Sequence, residues 1–411
     1  MNKRIAVTGL GVLAGNGKGR EEFWQSLKDG RPGYRPITLF ETDEFNVNIA
    51  GEIPEFDAKE YMGKKGLRTL DRSTRILVSA SKLAMAESGY GITEENTEMT
   101  GVSVGTTLGS LKSIAEFDEI TLREGPRYVN PSHFPNTVIN SPASQVSIWN
   151  DIKGFCNTLA SGFTTSIDAM QYAADFIEWD RAEMVLAGGV EELCLQTFYG
   201  FHALQFISGS INGDEFINCP FDRRRNGVTF GEGAMLMVME DFQNARDRGA
   251  DIMAEVGGFG YEFDPYRLHK YNPKGTGMKN AMRKALDAAG LTIADIDCIF
   301  ANANSAQNAD RIEAAAIKEV FGAQAKNVPV TATKSMTGEC YSVSGALAVA
   351  AALGAVREGF IPPTINYQEP DPDCDLNIIA DTVSDADLKN VLINNFSPSG
   401  ANACMVLRAV S

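Results

Sequence analysis

Apolar and polar positions alternate along the chain with two different periods. Short β-branched runs predict strands at residues 4–8, 100–107, 184–189, 231–239, 297–302 and 391–396. Apolar residues at helical spacing predict helices at 72–88, 278–289, 310–321 and 345–356. The first strand is expected to lead into a glycine-rich turn around Gly9, Gly11 and Gly15. Strands alternating with helices in both halves are typical of the α/β class with mostly parallel sheets.

Residues 158–170 run from a turn of small residues straight into an amphipathic segment. A helix that starts at such a turn presents backbone N–H groups and one side chain at its positive end, where a nucleophile is activated. We therefore expect Ser or Cys at this elbow. The residue there is Phe163.

Residues 108–142 have mixed polarity, and Pro126, Pro131 and Pro135 prevent one continuous helix. We expect a long irregular segment, and such segments inside compact domains are usually functional or form an interface. Leu111, Ile114 and Phe117 nevertheless recur at helical spacing within it.

The bulk composition is that of a globular protein, with 44% hydrophobic and 22% charged residues among 411. This length predicts one large domain or two halves, which we place at 1–250 and 251–411. No apolar run approaches the ~20 residues of a membrane span. The chain start has no signal-peptide apolar region, so we expect a cytoplasmic location.

The net charge of −16 argues against nucleic acid and anionic membranes as partners. Seven cysteines without CxxC spacing and three scattered histidines predict buried free thiols and no metal site. The glycine spacing near the start is one residue out from a dinucleotide fingerprint, so no nucleotide cofactor is expected.

Eight short motifs occur in the order found in one family, and with them the chain resembles the β-ketoacyl-acyl-carrier-protein synthases of the thiolase fold over essentially its full length. The motifs are Val7-Thr-Gly-Leu-Gly-Val12, Phe23-Trp24, Ala50-Gly-Glu52, Leu186-Ala-Gly-Gly189, Pro220-Phe-Asp222, Gly231-Glu-Gly233, Lys334-Ser-Met-Thr-Gly338 and Pro362-Pro-Thr-Ile-Asn366. The resemblance implies a five-layer α/β/α/β/α fold with two related halves, and an obligate dimer.

Active members of that family carry a Cys nucleophile and two His residues. Motif spacing places Phe163 where the family has Cys, and Asn302 and Glu339 where it has the two His residues, whereas the family Lys is kept as Lys334. The family's gating Gly-Phe-Gly-Gly turn is replaced by residues 397–400, Ser-Pro-Ser-Gly.

These replacements remove the chemistry of decarboxylative condensation. The reaction needs a thiolate to hold the acyl chain and N–H donors to stabilise the enolate. Phe163 supplies neither, and an ionised Glu339 would repel an enolate. Substitute nucleophiles are improbable: Cys156 would point elsewhere, and Cys340 is expected in the core. The hydroxyls beside the elbow, Ser161, Thr164 and Thr165, are expected to cap the helix.

Three functions fit a family member that has lost its catalytic residues. We expect a chain-length factor, the non-condensing partner of an active ketosynthase in a type II polyketide synthase. The alternatives are an initiation or malonyl-decarboxylase homologue, and a purely structural pseudo-enzyme. Gln is usual at the elbow in both of the first two groups, so Phe163 is a departure. Loss confined to the catalytic centre, with the glycine turns and Lys334 intact, favours the first function.

The resemblance also implies contact residues. His133, beside Phe134, matches the segment that crosses into the partner's acyl pocket, and Leu111, Ile114 and Phe117 are expected to line a tunnel or the interface. The positions that match basic carrier-protein docking residues are Lys64, Lys65, Arg68 and Arg127. Because carrier proteins are acidic, we expect the ketosynthase partner to supply most of that docking site.

Overall fold

A computed structural model of the protein describes residues 3–211 and 214–410. Its strands are β1 Ile5–Ala14, β2 Gly17–Lys18, β3 Arg35–Pro36, β4 Ile49–Ala50, β5 Thr100–Gly105, β6 Cys156–Leu159, β7 Met184–Glu191, β8 Gly233–Asp241, β9 Ala254–Phe263, β10 Cys298–Phe300, β11 Pro329–Thr331, β12 Phe360–Ile361, β13 Asn377–Ile378, β14 Val383–Ser384, β15 Asn390–Phe396 and β16 Ala401–Arg408.

The helices alternate with these strands over most of the chain. They are α1 Arg20–Lys28, α2 Lys59–Met62, α3 Arg72–Ser88, α4 Leu111–Arg123, α5 Ser141–Trp149, α6 Thr165–Glu178, α7 Leu195–Ala203, α8 Phe242–Asp247, α9 Thr276–Ala289, α10 Gln307–Phe321, α11 Lys334–Thr337 and α12 Ser344–Glu358. Each predicted strand and helix is present, and α3 has the predicted bounds.

The main sheet has twelve strands, ten of which form two sets of five with the same internal order, while β13 pairs with β11 and β2 with β1. The first set runs β1-β8-β7-β5-β6 and the second β9-β16-β15-β10-β11. In both sets the first two pairings are antiparallel and the next two parallel. The sets join where β1 pairs with β9. The repeated order shows that the two halves are structurally related.

Helices cover the two strand sets on three levels. α6 and α12 lie between the sets in the largest core cluster, α3 and α5 cover the outer face of the first set, and α9 and α10 cover the outer face of the second. An apolar sheet face must be buried against another element, and here each of the four faces is. This confirms the predicted five-layer α/β/α/β/α arrangement.

The glycine-rich turn predicted after the first strand is wrong at Gly9 and Gly11, because β1 continues through both to Ala14; the chain turns only at Gly15, before β2. The glycines serve close packing instead. A Cβ added to Gly11 would lie 1.8 Å from the carbonyl oxygen of Ala80 in α3, and one on Gly9 would lie 2.3 Å from that of Ala84. The missing side chains therefore let α3 approach the strand backbone.

The irregular segment predicted for residues 108–142 is largely helical. It contains α4, a 3₁₀ turn at Pro131–Thr137 and the start of α5. Pro131 opens the 3₁₀ turn and Pro142 lies in the first turn of α5, where a proline is tolerated because its missing N–H has no helical partner. The prolines thus delimit helices rather than abolish them.

Within the described residues, no helix is both long and apolar enough to cross a membrane, and no group of three or more His, Cys, Asp or Glu side chains could hold a metal ion. All seven thiols are free, and six of them are buried. Cys156, at the start of β6, is exposed and corrects the expectation that every thiol lies in the core.

Candidate functional site

The elbow forms as predicted between β6 and α6. A 3₁₀ turn at Gly162–Thr164 leads into the helix, and the side chain of Phe163 is only 4% exposed. Gly162 has φ +79° and faces the Ser397 hydroxyl, which would lie 3.1 Å from an added Cβ. With its amide oriented to suit both neighbours, Asn395 donates to the Phe163 carbonyl at 2.7 Å and accepts from Gly345 N at 2.8 Å. The nucleophile position is therefore held as firmly as a catalytic one.

Aromatic rings fill the space at the elbow. The Phe163 ring lies 4.5 Å from that of Tyr341 and 6.2 Å from that of Phe206. Phe201 packs against both neighbours, at 5.4 Å from Tyr341 and 5.6 Å from Phe206. Tilted and edge-on rings at these centroid distances attract one another. A hydrophobic cluster thus occupies the point where a thiolate would stand.

The hydroxyl groups around the elbow do not cap α6, so that expectation is wrong. Thr164 is the N-cap residue, but its side chain makes no capping hydrogen bond. Instead Ser161 and Thr164 both donate to the carboxylate of Asp168, Thr164 at 3.2 Å. Thr165 donates back to the Gly162 carbonyl at 2.6 Å. The hydroxyls in this short turn therefore donate to the Asp168 carboxylate and the Gly162 carbonyl instead of accepting from the first helical N–H groups.

Asn302, Lys334 and Glu339 meet in one buried polar network. Lys334 Nζ donates to Asn302 Oδ1 at 2.8 Å and to Glu339 Oε2 at 2.9 Å. Glu339 also accepts from Asn304 Nδ2 at 2.8 Å and from Ser344 Oγ at 2.5 Å. Lys334 and Glu339 are nearly inaccessible to solvent. The charge that replaces a catalytic His is therefore neutralised inside the protein.

This network leaves little with which to stabilise an enolate. The Asn302 carbonyl oxygen is already occupied by Lys334 and by the backbone N–H of Phe396, at 3.1 Å. Glu339 adds acceptors where the condensing reaction needs donors. Neither substitute nucleophile is suited to the role. Cys156 is exposed on β6, and burial, with the charge of Glu339, holds the pKa of the Cys340 thiol well above its ordinary value.

Two buried carboxylates support the network from α10. Glu313 accepts from Asn302 N at 2.8 Å and from Asn394 Nδ2 at 3.0 Å, and burial raises its pKa to about 7. Asp310 accepts from Asn304 N at 3.0 Å, and burial raises its pKa to about 6. Asn394, one of these partners, comes from a distant segment of the chain and was not predicted.

The turn that replaces the glycine-rich gate is tied down by its own hydroxyls. Ser397 Oγ and Ser399 Oγ are 2.7 Å apart, and Ser399 N donates to Ser397 Oγ at 3.2 Å. Ser397 N also pairs with the Ala401 carbonyl across the hairpin at 2.9 Å. These bonds and the fixed φ of Pro398 restrict motion of the turn.

The predicted tunnel residues lie at two separate cavities. Leu111 lines an apolar cavity of about 330 Å³ together with Leu108, Phe163 and Tyr341. Phe117 and His133 line a second one of about 250 Å³, between α4 and the 3₁₀ turn that follows it. The Phe134 ring lies 6.1 Å from that of Phe117, and Ile114 is partly exposed on the same helix.

Only two of the four predicted docking residues line a common cleft. Lys64 and Arg68 line a cleft of about 390 Å³, whereas Lys65 and Arg127 are exposed outside it. The other basic residues of the cleft are Lys59, Arg72 and Arg75. Arg72 is paired with the buried carboxylate of Glu232. The cleft is therefore more basic than the sequence clusters indicated, but two of its cations are already paired, because Lys59 also lies 3.5 Å from the Asp57 carboxylate.

The fold is a two-halved α/β scaffold, and the positions expected to be catalytic hold Phe163, Asn302 and Glu339. The family description "Beta-ketoacyl synthase, N-terminal domain" matches residues 2–244, and "Beta-ketoacyl synthase, C-terminal domain" matches residues 253–368. The chain belongs to the β-ketoacyl synthase family and has the thiolase fold.

Similar proteins include both fatty-acid and polyketide synthases. The chain is 33% identical over 409 residues to the 3-oxoacyl-[acyl-carrier-protein] synthase 2 of Coxiella burnetii, covering 99% of both chains. It is 31% identical to the enzyme of the same name from Vibrio harveyi, over 100% of this chain and 99% of that protein.

Solved structures match over the whole chain. "The ishigamide ketosynthase/chain length factor" superposes with a TM-score of 0.93 at 31% identity, covering 100% of both chains. A type II PKS acyl-carrier protein in complex with its ketosynthase bound to the hexaketide superposes with a TM-score of 0.91 at 27% identity, again over 100% of both chains.

Proposed function

We propose that the protein is a chain-length factor: a non-condensing subunit that pairs with an active ketosynthase and shapes the tunnel for its growing polyketide chain. The observation that carries the proposal is the closed, neutralised network of Lys334 and Glu339 behind an aromatic elbow. Random decay of an active site would leave unpaired buried charges. Such charges destabilise the fold, so a protein that kept them would be lost. A satisfied network in an intact fold fits a subunit retained for another role.

The surface around α4 supports the proposal that a partner subunit binds there. α4 is amphipathic, yet none of its residues is buried within the described chain. Leu122 on this helix is 85% exposed, and Tyr128 and Phe134 beyond it are 70% and 57% exposed. Exposed apolar groups this concentrated are typical of an interaction site.

The edge of the sheet supports a partner at the same side. β6 pairs only with β5 and lies at the outer end of the strand order. An unpaired edge strand is a template for a strand of another chain. The buried side-chain polar atoms of Asn157 and Thr158 on β6 have no hydrogen-bond partner among the described residues. Buried polar groups of this kind normally find one, and a docked subunit would supply it.

The likeness to a ketosynthase/chain length factor structure supports the same choice of function. A malonyl decarboxylase is less compatible with the site, because its enolate would face the carboxylate of Glu339, which accepts hydrogen bonds and cannot donate one. We assign carrier-protein docking chiefly to the ketosynthase subunit, with a minor part for Lys64 and Arg68, and we place the complex in the cytoplasm.

The experiment compares the chain alone with its complex. Purified alone, it should not elongate malonyl units and should aggregate or form a poor homodimer, because obligate interfaces bury roughly 2,000–5,000 Å². Co-expressed with its ketosynthase, it should form a heterodimer that makes products of one length. A monodisperse monomer at micromolar concentration would contradict the obligate partnership.

Length control is tested by shortening side chains at the second cavity. Phe117→Ala or Phe134→Ala should lengthen the carrier-bound product, since a growing chain gains roughly 0.8 kcal/mol per buried CH₂ until a wall stops it. Asp118→Ala, an exposed polar position on the same helix but outside both cavities, is the matched control. Mass spectrometry that finds unchanged length in both phenylalanine variants would place length control on the partner.

A further inference from the structure

Helix α4 carries proposed tunnel residues but has almost no support of its own. None of its side chains is buried in the described chain, and its N-cap residue, Ser110, makes no side-chain capping bond. A helix with an unburied apolar face and an uncapped start is expected to fray. Something else must set its position.

Two adjacent buried glutamates at the end of β7 contact the start of this helix. Glu192 is 2% exposed and accepts from the backbone N–H of Lys112, in the first turn of α4, at 3.3 Å. The same carboxylate accepts from Ser73 N, in the first turn of α3, at 3.2 Å. One side chain therefore bonds to the first turns of two helices, where the backbone N–H groups have no partner within the helix.

Glu191 holds the loop that precedes α4. Its carboxylate accepts from Thr107 N at 3.2 Å, from Leu108 N at 3.0 Å and from Thr106 Oγ1 at 3.0 Å. It also accepts from the hydroxyl of Ser342, which follows Tyr341 in the elbow cluster. The loop with Leu108 and the segment with Tyr341 are thus joined through one carboxylate, and both residues line the first cavity.

We propose that Glu191 and Glu192 are positioning residues that anchor the start of α4 and thereby place Leu108 and Leu111 in the cavity wall. They touch no reacting atoms and act through the loop and helix they hold. Their effect on product length rests on the proposed chain-length function, whereas the anchoring itself does not.

Hydrogen–deuterium exchange of the full chain tests the anchoring directly. Glu191→Gln places amide hydrogens against N–H donors, so the loop loses acceptors. Exchange in a peptide covering residues 105–123 should rise at least tenfold in Glu191→Gln and in Glu192→Gln, while exchange in α9 stays within twofold of the wild type. Thr106→Val is a milder isosteric change that removes one donor and should give a smaller increase.

Glu313→Gln is the matched control, because Glu313 is another buried glutamate that accepts a backbone N–H, far from α4 in the fold. If residues 105–123 exchange no faster in the Glu191 and Glu192 variants than in Glu313→Gln, the anchoring is refuted. Product length in the ketosynthase complex is measured separately. Faster exchange with unchanged product length would count against the tunnel role of α4 while supporting the anchoring.

Discussion

Removing the charge of Glu339 should destabilise the protein strongly. Glu339→Gln is nearly isosteric, so it changes electrostatics more than packing. The carboxylate now accepts from Lys334, Asn304 and Ser344 in a site without solvent access. After the substitution the ammonium group of Lys334 stays buried and keeps only the carbonyl oxygen of Asn302 as a strong acceptor.

The expected loss in free energy of unfolding follows from the burial of the Lys334–Glu339 pair. The side chains of Lys334 and Glu339 are 3% and 0% exposed. Breaking such a buried pair by removing one partner costs about 3–5 kcal/mol, because an uncompensated charge is left in a medium of low dielectric constant. Replacing both partners by neutral groups of similar volume is often nearly neutral. Lys334→Met with Glu339→Gln should therefore recover at least half of the loss.

The assay is a double-mutant cycle on urea unfolding midpoints, with the same preparation used for all four proteins. We expect a coupling free energy of about 2 kcal/mol or more between the two positions. The surface pair of Lys279 and Glu319, 2.7 Å apart, provides the control. Glu319→Gln should leave the midpoint nearly unchanged because solvent screens that pair.

A loss below about 1 kcal/mol for Glu339→Gln would refute the reasoning. It would mean that water enters the network and that the site is not closed. The same result would weaken the proposal that the site was rebuilt for stability after catalysis was lost. A large loss in Glu339→Gln that the second substitution fails to recover would point to packing rather than charge.

Three further outcomes are expected. Phe163→Cys should not restore condensation, since Asn302 and Glu339 stand where the family's two imidazoles are expected, and His269, which lines the same cavity, is exposed to solvent; labelled malonyl carrier protein is the assay, and any elongation by the variant alone contradicts it. Phe163→Ala should lower stability by about 3–5 kcal/mol, measured by urea unfolding, because the ring is buried, whereas the same change at the exposed Phe134 should have little effect. Glu192→Gln should reduce the slope with which the free energy of unfolding falls as pH rises. Burial raises the pKa of Glu192 from 4.5 to about 8, so its stabilising contribution is complete below about pH 4.5 and is lost as pH rises through 8; equal slopes between pH 5 and 8 for variant and wild type would disprove this.

Local patterns were enough to find the elements. Helix α3 and the alternation of strands with helices depend on periodicity within one segment, which the sequence displays directly. The assignment of Phe163 to the nucleophile position also needs only the motif spacing, and it stays a prediction. These features are local because a turn followed by a helix places its first side chain in the same way in any fold.

Tertiary structure decided what each of those residues touches. The sequence pattern places Gly11 in a turn. In the structure α3 packs against it, and the Ala80 carbonyl oxygen lies 1.8 Å from where a Cβ would be. The proximity of Lys334 and Glu339 follows from one short segment, but Asn302, which completes the network, comes from the loop after β10. Glu191 and Glu192 resemble ordinary surface residues in the sequence, and only the packed strand order buries them against two loops and two helices. Composition and period report where a side chain lies along its own element. They do not show which distant backbone N–H or charge lies next to that side chain in the folded protein. That pairing determines whether a buried polar group stabilises the protein or destabilises it.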